Sequence, residues 1–309
     1  MHKKCFLYLS FTLIFASISN HLNAQEKEYP DGHGKTVKLP FGDISFADSV
    51  ISYTPGKPAP IPENANPKDA IGLPDFNQDY VKGFVSLGTG GELVVQFKNN
   101  ALINISGPDL YVFEMGKYVE ETYLYVSKDN KKWVSVGKIQ GGNALVDIGD
   151  STKPGELFRY VKLIDAKTAV KKGDNMWPGA DIDAIAAIGS AKQFSLNALY
   201  LFNTSEAILK PAAKKELDQI ALELEAHPGF DIVIDGHTDS TGKKTVNEKL
   251  SKDRALAVKT YLSGKLKNNK TLITCNGYAD QFPVADNKSP EGREKNRRVE
   301  IYFIPLNKQ

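Results

Sequence analysis

An arginine and an asparagine sit on the face of a predicted helix that should be apolar. In VNEKLSKDRALAVKTYL, residues 246–262, a rotation of about 100° per residue puts Leu250, Ala257, Val258, Tyr261 and Leu262 on one stripe. Arg254 falls inside that stripe, and Asn247, nearly two turns earlier, shares its edge. A guanidinium buried without a partner costs several kcal/mol of desolvation. Asp239 is the acid best placed to offset it. It lies in the Gly-bounded loop DGHTDSTG, which follows an apolar strand and leads into the helix. A carboxylate, a guanidinium and an amide at a helix start can do one of two things. They can form a salt bridge that sets the loop. Or they can line a recess for a zwitterion, with the carboxylate taking an ammonium and the planar guanidinium fork a carboxylate, at a helix end that itself favours anions. A second basic cluster, GREKNRRVEI, supplies Arg293, Arg297 and Arg298.

Other chemistry-bearing residues lack companions. His237 stands between Asp235 and Asp239, but no second histidine follows at helical or hairpin spacing, so loop hydrogen bonding is expected of it rather than metal ligation. There is no G-x-S-x-G element for a serine hydrolase. Cys275, in TLITCNGY, reads as a small thiol within a strand. No catalytic set emerges, and the chain is expected not to be an enzyme. Acids cluster in GPDLYVFE and GADIDAI. Asp181 and Asp183 are two apart, hence on one face of a strand. With Asp109 and Glu114 they could supply the oxygens a calcium ion needs; otherwise they are exposed acidic loop residues. Calcium is the only cofactor suggested.

The elements that must position these groups fall into blocks. The chain has 309 residues, 41% hydrophobic and 25% charged, with a net charge of +2. Two domains are the prior, and neither a basic excess nor a basic stripe marks a nucleic-acid binder. Residues 1–24, with Lys3 and Lys4 before an apolar run and a small residue at Ala24, read as a secretory signal peptide; no later stretch is apolar enough to be a transmembrane helix. Residues 25–78 are rich in Pro and Gly and promise little regular structure, either lying on a β domain or linking to it. Residues 79–190 hold short Val/Ile/Tyr-rich runs such as ELVVQF, TYLYVS and RYVKLID, the pattern of an all-β sandwich. They lack the repeated outward apolar band of a membrane barrel. Trp133, beside the turn SKDNKKW, is expected in the core. From 191 to 309 the pattern becomes β-α-β-α-β-β, an α+β domain. SLNALYLF reads there as a strand, and Pro211 opens a helix at its first turn.

Four ordered blocks make this last domain resemble the OmpA C-terminal family: GHTDSTG, NEKLSKDRA, GYADQFPVADN and REKNRRV, with YLFNTSEAILKP like the family's opening. They match the pattern G-H-T-D-x-x-G, N-x-x-L-S-x-x-R-A, G-[FY]-[AG]-x-x-x-P-x-x-x-N and R-x-x-N-R-R-V over about residues 194–305. Tyr278-Ala279 departs from a more usual glycine pair. The resemblance implies non-covalent binding of peptidoglycan through the diaminopimelate residue of its stem peptide. Asp239 would take the amine and Arg254 a carboxylate. Asn247 and Thr238 would lie beside the pocket, and Arg297 near it. Residues 85–190 more loosely resemble discoidin, or galactose-binding-like, jelly-roll modules.

The expectation is a secreted, periplasmic, outer-membrane-associated protein of a Gram-negative envelope. Its C-terminal domain anchors a β-sandwich to the wall, and the sandwich meets carbohydrate or an envelope protein. The competing expectation is a calcium-assisted carbohydrate-binding or adhesion protein whose OmpA-like domain serves protein contacts.

Overall fold

The computed structural model describes residues 26–75, 82–115, 120–140, 144–167, 177–226, 229–267 and 271–305; the signal expected at 1–24 lies outside them. Among the described residues no helix is long and apolar enough to cross a membrane.

The first strands, β1 (Lys27–Pro30) and β2 (Thr36–Leu39), pair with each other, and β3 (Ser49–Thr54) follows. Next come β4 (Val85–Ser86), β5 (Glu92–Gln96), β6 (Asn100–Ile103), β7 (Leu110–Glu114), β8 (Thr122–Ser127) and β9 (Trp133–Ile139). Then come β10 (Ala144–Val146), β11 (Leu157–Phe158), β12 (Tyr160–Asp165), β13 (Asp181–Ala187) and β14 (Ser190–Asn197). One sheet has the order β3-β5-β12-β8-β9, another β10-β7-β13-β4. Alternate side chains of the first, among them Leu93, Val95, Leu124, Val126, Val161 and Leu163, meet Leu110, Val112, Ile182 and Ile185 of the second in one core. The N-terminal half is thus β-rich, with two sheets face to face.

The Pro/Gly-rich segment is more ordered than its composition suggests. Tyr29, Val37, Leu39 and Phe46 cover the outer face of the four-stranded sheet, against Tyr111, Phe113, Ala184 and Ala186. β3 adds an edge to the five-stranded sheet. Covered on both sides, every residue of β13 is buried.

The C-terminal half continues with a helical turn α1 (Ala198–Leu201), helix α2 (Pro211–Ala226), β15 (Phe230–Gly236), α3 (Lys244–Lys265), β16 (Ile273–Gly277), α4 (Pro290–Asn296) and β17 (Arg298–Pro305). Within SLNALYLF the expected strand stops at Asn197, whose side chain accepts from the Leu199 amide at 2.7 Å and caps α1. Leu217, Ile220 and Leu224 of α2 and Val258 and Leu262 of α3 pack on Ile232, Ile234, Ile301 and Phe303. Both long helices therefore lie on one face of the sheet.

That sheet has the order β11-β6-β14-β17-β15-β16, with only β15 and β16 parallel. Its first two strands belong to the N-terminal half. β14 pairs with β6 through Ser190–Lys192 and with β17 through Lys192–Asn197. One hydrogen-bonded sheet thus runs through the boundary expected at residues 190 and 191.

Candidate functional site

Two glycines bring α3 onto its sheet. A Cβ at Gly236 would stand 2.0 Å from the Ser251 carbonyl oxygen, and one at Gly277 would stand 2.5 Å from the Lys252 nitrogen. Only a residue without a side chain permits that approach. The buried stripe of α3 is accordingly Asn247, Ser251, Arg254, Ala255, Val258 and Leu262. Small Ser251 and Ala255 face the sheet where a regular apolar pattern points to Leu250 and Ala257, which are half-buried.

This seating places the loop after β15 over the start of α3. Asn247 Nδ2 donates to the carbonyls of Asp239 at 3.2 Å and Thr241 at 3.0 Å. The Thr238 amide donates to Ala279 O at 2.9 Å, and Ser251 Oγ accepts from the Ala279 amide at 3.1 Å. Thr238 Oγ1 is buried with no hydrogen-bond partner among the described residues.

Arg254 is only 2% exposed, but its hydrogen-bonding partner is not Asp239. Its Nε donates to Glu206 O at 2.9 Å and its Nη2 to Asn203 O at 3.4 Å, with the guanidinium 5.3 Å from the Phe202 ring. Asp239 instead accepts from the Thr241 amide on Oδ1 at 2.7 Å and from Arg297 Nη1 on Oδ2 at 2.5 Å. The direct pairing of 239 with 254 expected from sequence is replaced by three groups held from three directions. They still feel one another. Burial lowers the Arg254 pKa and repulsion from Arg297 lowers it further, while Asp239 acts the other way. Burial pushes the Asp239 carboxyl up, but the Arg297 guanidinium and the Thr241 hydrogen bonds outweigh it and hold the carboxyl below its ordinary range. Two guanidiniums to one carboxylate leave a local surplus of positive charge.

Asn287 and Asn296 complete the support and escaped the residue-by-residue reading. Asn296 Oδ1 accepts from the amides of Val284 at 2.8 Å and Ala285 at 3.0 Å, and its Nδ2 reaches Asn287 Oδ1 at 2.9 Å. Asn287 Oδ1 also accepts from the Ser240 amide at 3.2 Å. Their signal was present, as the asparagines in PVADN and KNRRV.

Arg297 and Arg298 part company. Arg298 joins a buried cluster on Glu300, whose Oε1 accepts from Arg298 Nε at 2.9 Å, Gln193 Nε2 at 2.7 Å and Arg159 Nη1 at 2.7 Å. Tyr302 donates to Oε2 at 2.9 Å, and His237 Nε2 lies 3.1 Å from it. Burial pushes the Glu300 carboxyl up, but Arg298 and Arg159 hold it well below its usual value. Burial and Arg298 depress the His237 pKa, and neither ring nitrogen has a hydrogen-bond partner of good geometry among the described residues.

The calcium set is not assembled. Asp109 immediately precedes β7 and Glu114 ends it, about 17 Å apart at ~3.3 Å per residue. Asp109 accepts the amides of Ile105 at 2.6 Å and Ile148 at 2.9 Å, and burial pushes its carboxyl up to about 6. Asp181 takes the Ser86 hydroxyl and Asp183 the Asp75 amide at 3.2 Å. All four are buried, neither exposed loop acids nor one cage. Among the described residues no three His, Cys, Asp or Glu side chains are grouped to hold a metal ion. Trp133 is half-buried with Lys162 Nζ 4.3 Å above its ring, and Cys275 is half-buried on β16.

Residues 201–297 match the OmpA family. Outer membrane protein Omp38 of Acinetobacter baumannii is 30% identical over 154 residues, 47% of this chain and 43% of that protein. Outer membrane protein A of Bordetella avium is 39% identical over 114 residues, 37% of this chain and 58% of that one. The peptidoglycan-binding protein ArfA of Mycobacterium tuberculosis is 40% identical over 100 residues, 32% of this chain and 30% of its own. The chain thus spans less than two thirds of each of these relatives.

Proposed function

Given that residues 201–297 form an OmpA-family domain, we propose that the chain binds peptidoglycan non-covalently and anchors its β-rich half to the wall. The ligand group is the zwitterionic side-chain end of diaminopimelate in the stem peptide. Its carboxylate meets the Arg254 guanidinium, and its ammonium meets Asp239, sharing that carboxylate with Arg297 or displacing it. Asn247 and Thr238 hold the loop that carries Asp239. One observation carries the reading: the buried guanidinium of Arg254 and the half-buried one of Arg297 both act on a single carboxylate whose pKa is held below its ordinary range. Burying that charge without a ligand is costly, and a carboxylate-bearing partner offsets the surplus.

On this reading the protein is not an enzyme and works on the periplasmic side of an outer membrane, reached through the signal at residues 1–24. Similarity to outer membrane proteins and to a peptidoglycan-binding protein supports that location. The two-sheet core supports a galactose-binding-like sandwich that presents a surface to carbohydrate or to an envelope protein. The calcium-assisted alternative loses its proposed ligand cage. Co-sedimentation with purified sacculi tests the assignment. The full chain should pellet with them, and Asp239→Ala and Arg254→Ala should each stay in solution. Unchanged retention of both variants would move binding elsewhere.

A further inference from the structure

A second recess lies on the other face of the sheet. Ile232 and Ile234 of β15 face the helices, whereas Val233 and Asp235 face away and line a cavity of about 380 Å³. The far wall of that cavity belongs to the N-terminal half, from Lys128 and the segment 153–159. Its volume falls within the range of small-molecule sites, about 300–1,000 Å³. The neighbouring residues Arg297 and Arg298 separate the two sites: the first holds Asp239, the second lines this cavity.

The lining combines rings with paired polar groups. Tyr278 and Phe282 meet edge to face at 5.1 Å, and His237 stacks on Tyr278 at 5.8 Å. Lys128 pairs with Glu156 at 2.6 Å, Arg298 with Glu300 at 2.9 Å, and Asn276 Nδ2 donates to Asp235 Oδ1 at 2.9 Å. Most wall charges therefore have an opposite charge or an amide beside them, which argues against a bare ion as the occupant. What remains is spare hydrogen-bonding capacity of both kinds: the Lys128 N–H groups not spent on Glu156, the amide oxygen of Asn276, and the acceptor lone pairs of the Thr274 hydroxyl, whose proton goes to Ile232 O at 3.4 Å. Donors and acceptors around half-buried aromatic faces suit a polyhydroxylated ring, which presents hydroxyls at its rim and C–H groups on its faces.

We propose that this cavity is a saccharide site, separate from the Asp239–Arg254 recess. The proposal that its sugar is an N-acetylhexosamine of the wall's glycan backbone rests on the wall-binding reading; the cavity's chemistry does not. The chain would then hold its polymer at two points, peptide on one face of the sheet and sugar on the other.

The test is calorimetric titration of the full chain with a peptide-free tetrasaccharide of alternating N-acetylglucosamine and N-acetylmuramic acid, alongside a stem peptide without sugar. Thr274→Trp adds bulk at an exposed position of β16, on the cavity rim, and Tyr278→Ala removes a ring. Both should weaken the tetrasaccharide at least tenfold, Thr274→Trp should leave the peptide's affinity unchanged, and Asp239→Ala should leave the tetrasaccharide bound. Maltotetraose binding as tightly as the wall tetrasaccharide would keep the saccharide site and remove the wall assignment. No heat with any sugar, full affinity in Thr274→Trp, or loss of the sugar in Asp239→Ala would overturn the second site.

Discussion

Arg297 Nη1 lies 2.5 Å from Asp239 Oδ2, and the two residues are 58 positions apart in sequence. The carboxylate at the centre of the recess is thus engaged before any ligand arrives, while Arg254 rests on the carbonyls of Asn203 and Glu206. Asp239 has its folded pKa depressed. The stability and binding that depend on its charge are present above the ordinary carboxylate pKa and are lost as pH falls through the folded value. Sacculus binding by the unmodified chain should persist into acid just below the ordinary carboxylate range. Arg297→Gln removes the depressing charge, so its acid midpoint should move up. Co-sedimentation across a pH series measures both.

Glu300 should tie the halves together. Arg159 reaches it from the N-terminal half and Arg298 from its own strand. Glu300→Gln would leave Arg159 and the buried Arg298 without the carboxylate they share, a loss of about 3–5 kcal/mol. Both tryptophans lie in the N-terminal half. Their fluorescence should report a lower unfolding midpoint for this C-terminal substitution, in one transition; an unshifted tryptophan signal would show the halves to be independent.

Asp235 should make stability fall as pH rises. Burial, reinforced by Glu300 and partly offset by Asn276, pushes its carboxyl up to about 7. A raised carboxyl pKa means the folded chain binds this proton more tightly than the unfolded chain. The penalty is therefore absent in acid and grows until pH passes the folded pKa, with a ceiling of about 4 kcal/mol. Asp235→Asn keeps the acceptor for Asn276 and cannot ionise. Urea unfolding at pH 5 and pH 8 should show the variant gaining on the parent chain as pH rises.

Gly236→Ala should lift α3 from the sheet, because its Cβ would stand 2.0 Å from a backbone oxygen that no rotamer change can move. The expected loss is roughly 1–3 kcal/mol, with weaker sacculus binding, since the start of α3 carries Asn247 and its contact with the Asp239 loop.

Much of this was legible from residue types. The buried position of Arg254, the helix opened at Pro211 and the short strands of the N-terminal half all follow from periodicity and turn chemistry. The partners of Arg254 did not, because backbone carbonyls carry no residue label. The run NALYLF is apolar throughout and cannot distinguish helix from strand; the cap at Asn197 decided it. Tyr29, Val37, Leu39 and Phe46 are spaced among Gly, Asp and Pro, and their value appears only against β7 and β13. The sheet shared through β14 was equally hidden, since a strand's sequence does not name its neighbour.

Calorimetry with two stem peptides tests the two-ended recess most directly, one peptide carrying diaminopimelate and the other lysine at the same position. The lysine peptide keeps the amine and lacks the side-chain carboxylate, so Arg254 would stay unmatched. The expected result is binding of the diaminopimelate peptide roughly 10- to 100-fold tighter, the worth of a charged hydrogen-bonded pair, with that preference abolished in Arg254→Ala. Equal affinities for the two peptides, or a preference that survives Arg254→Ala, would contradict it.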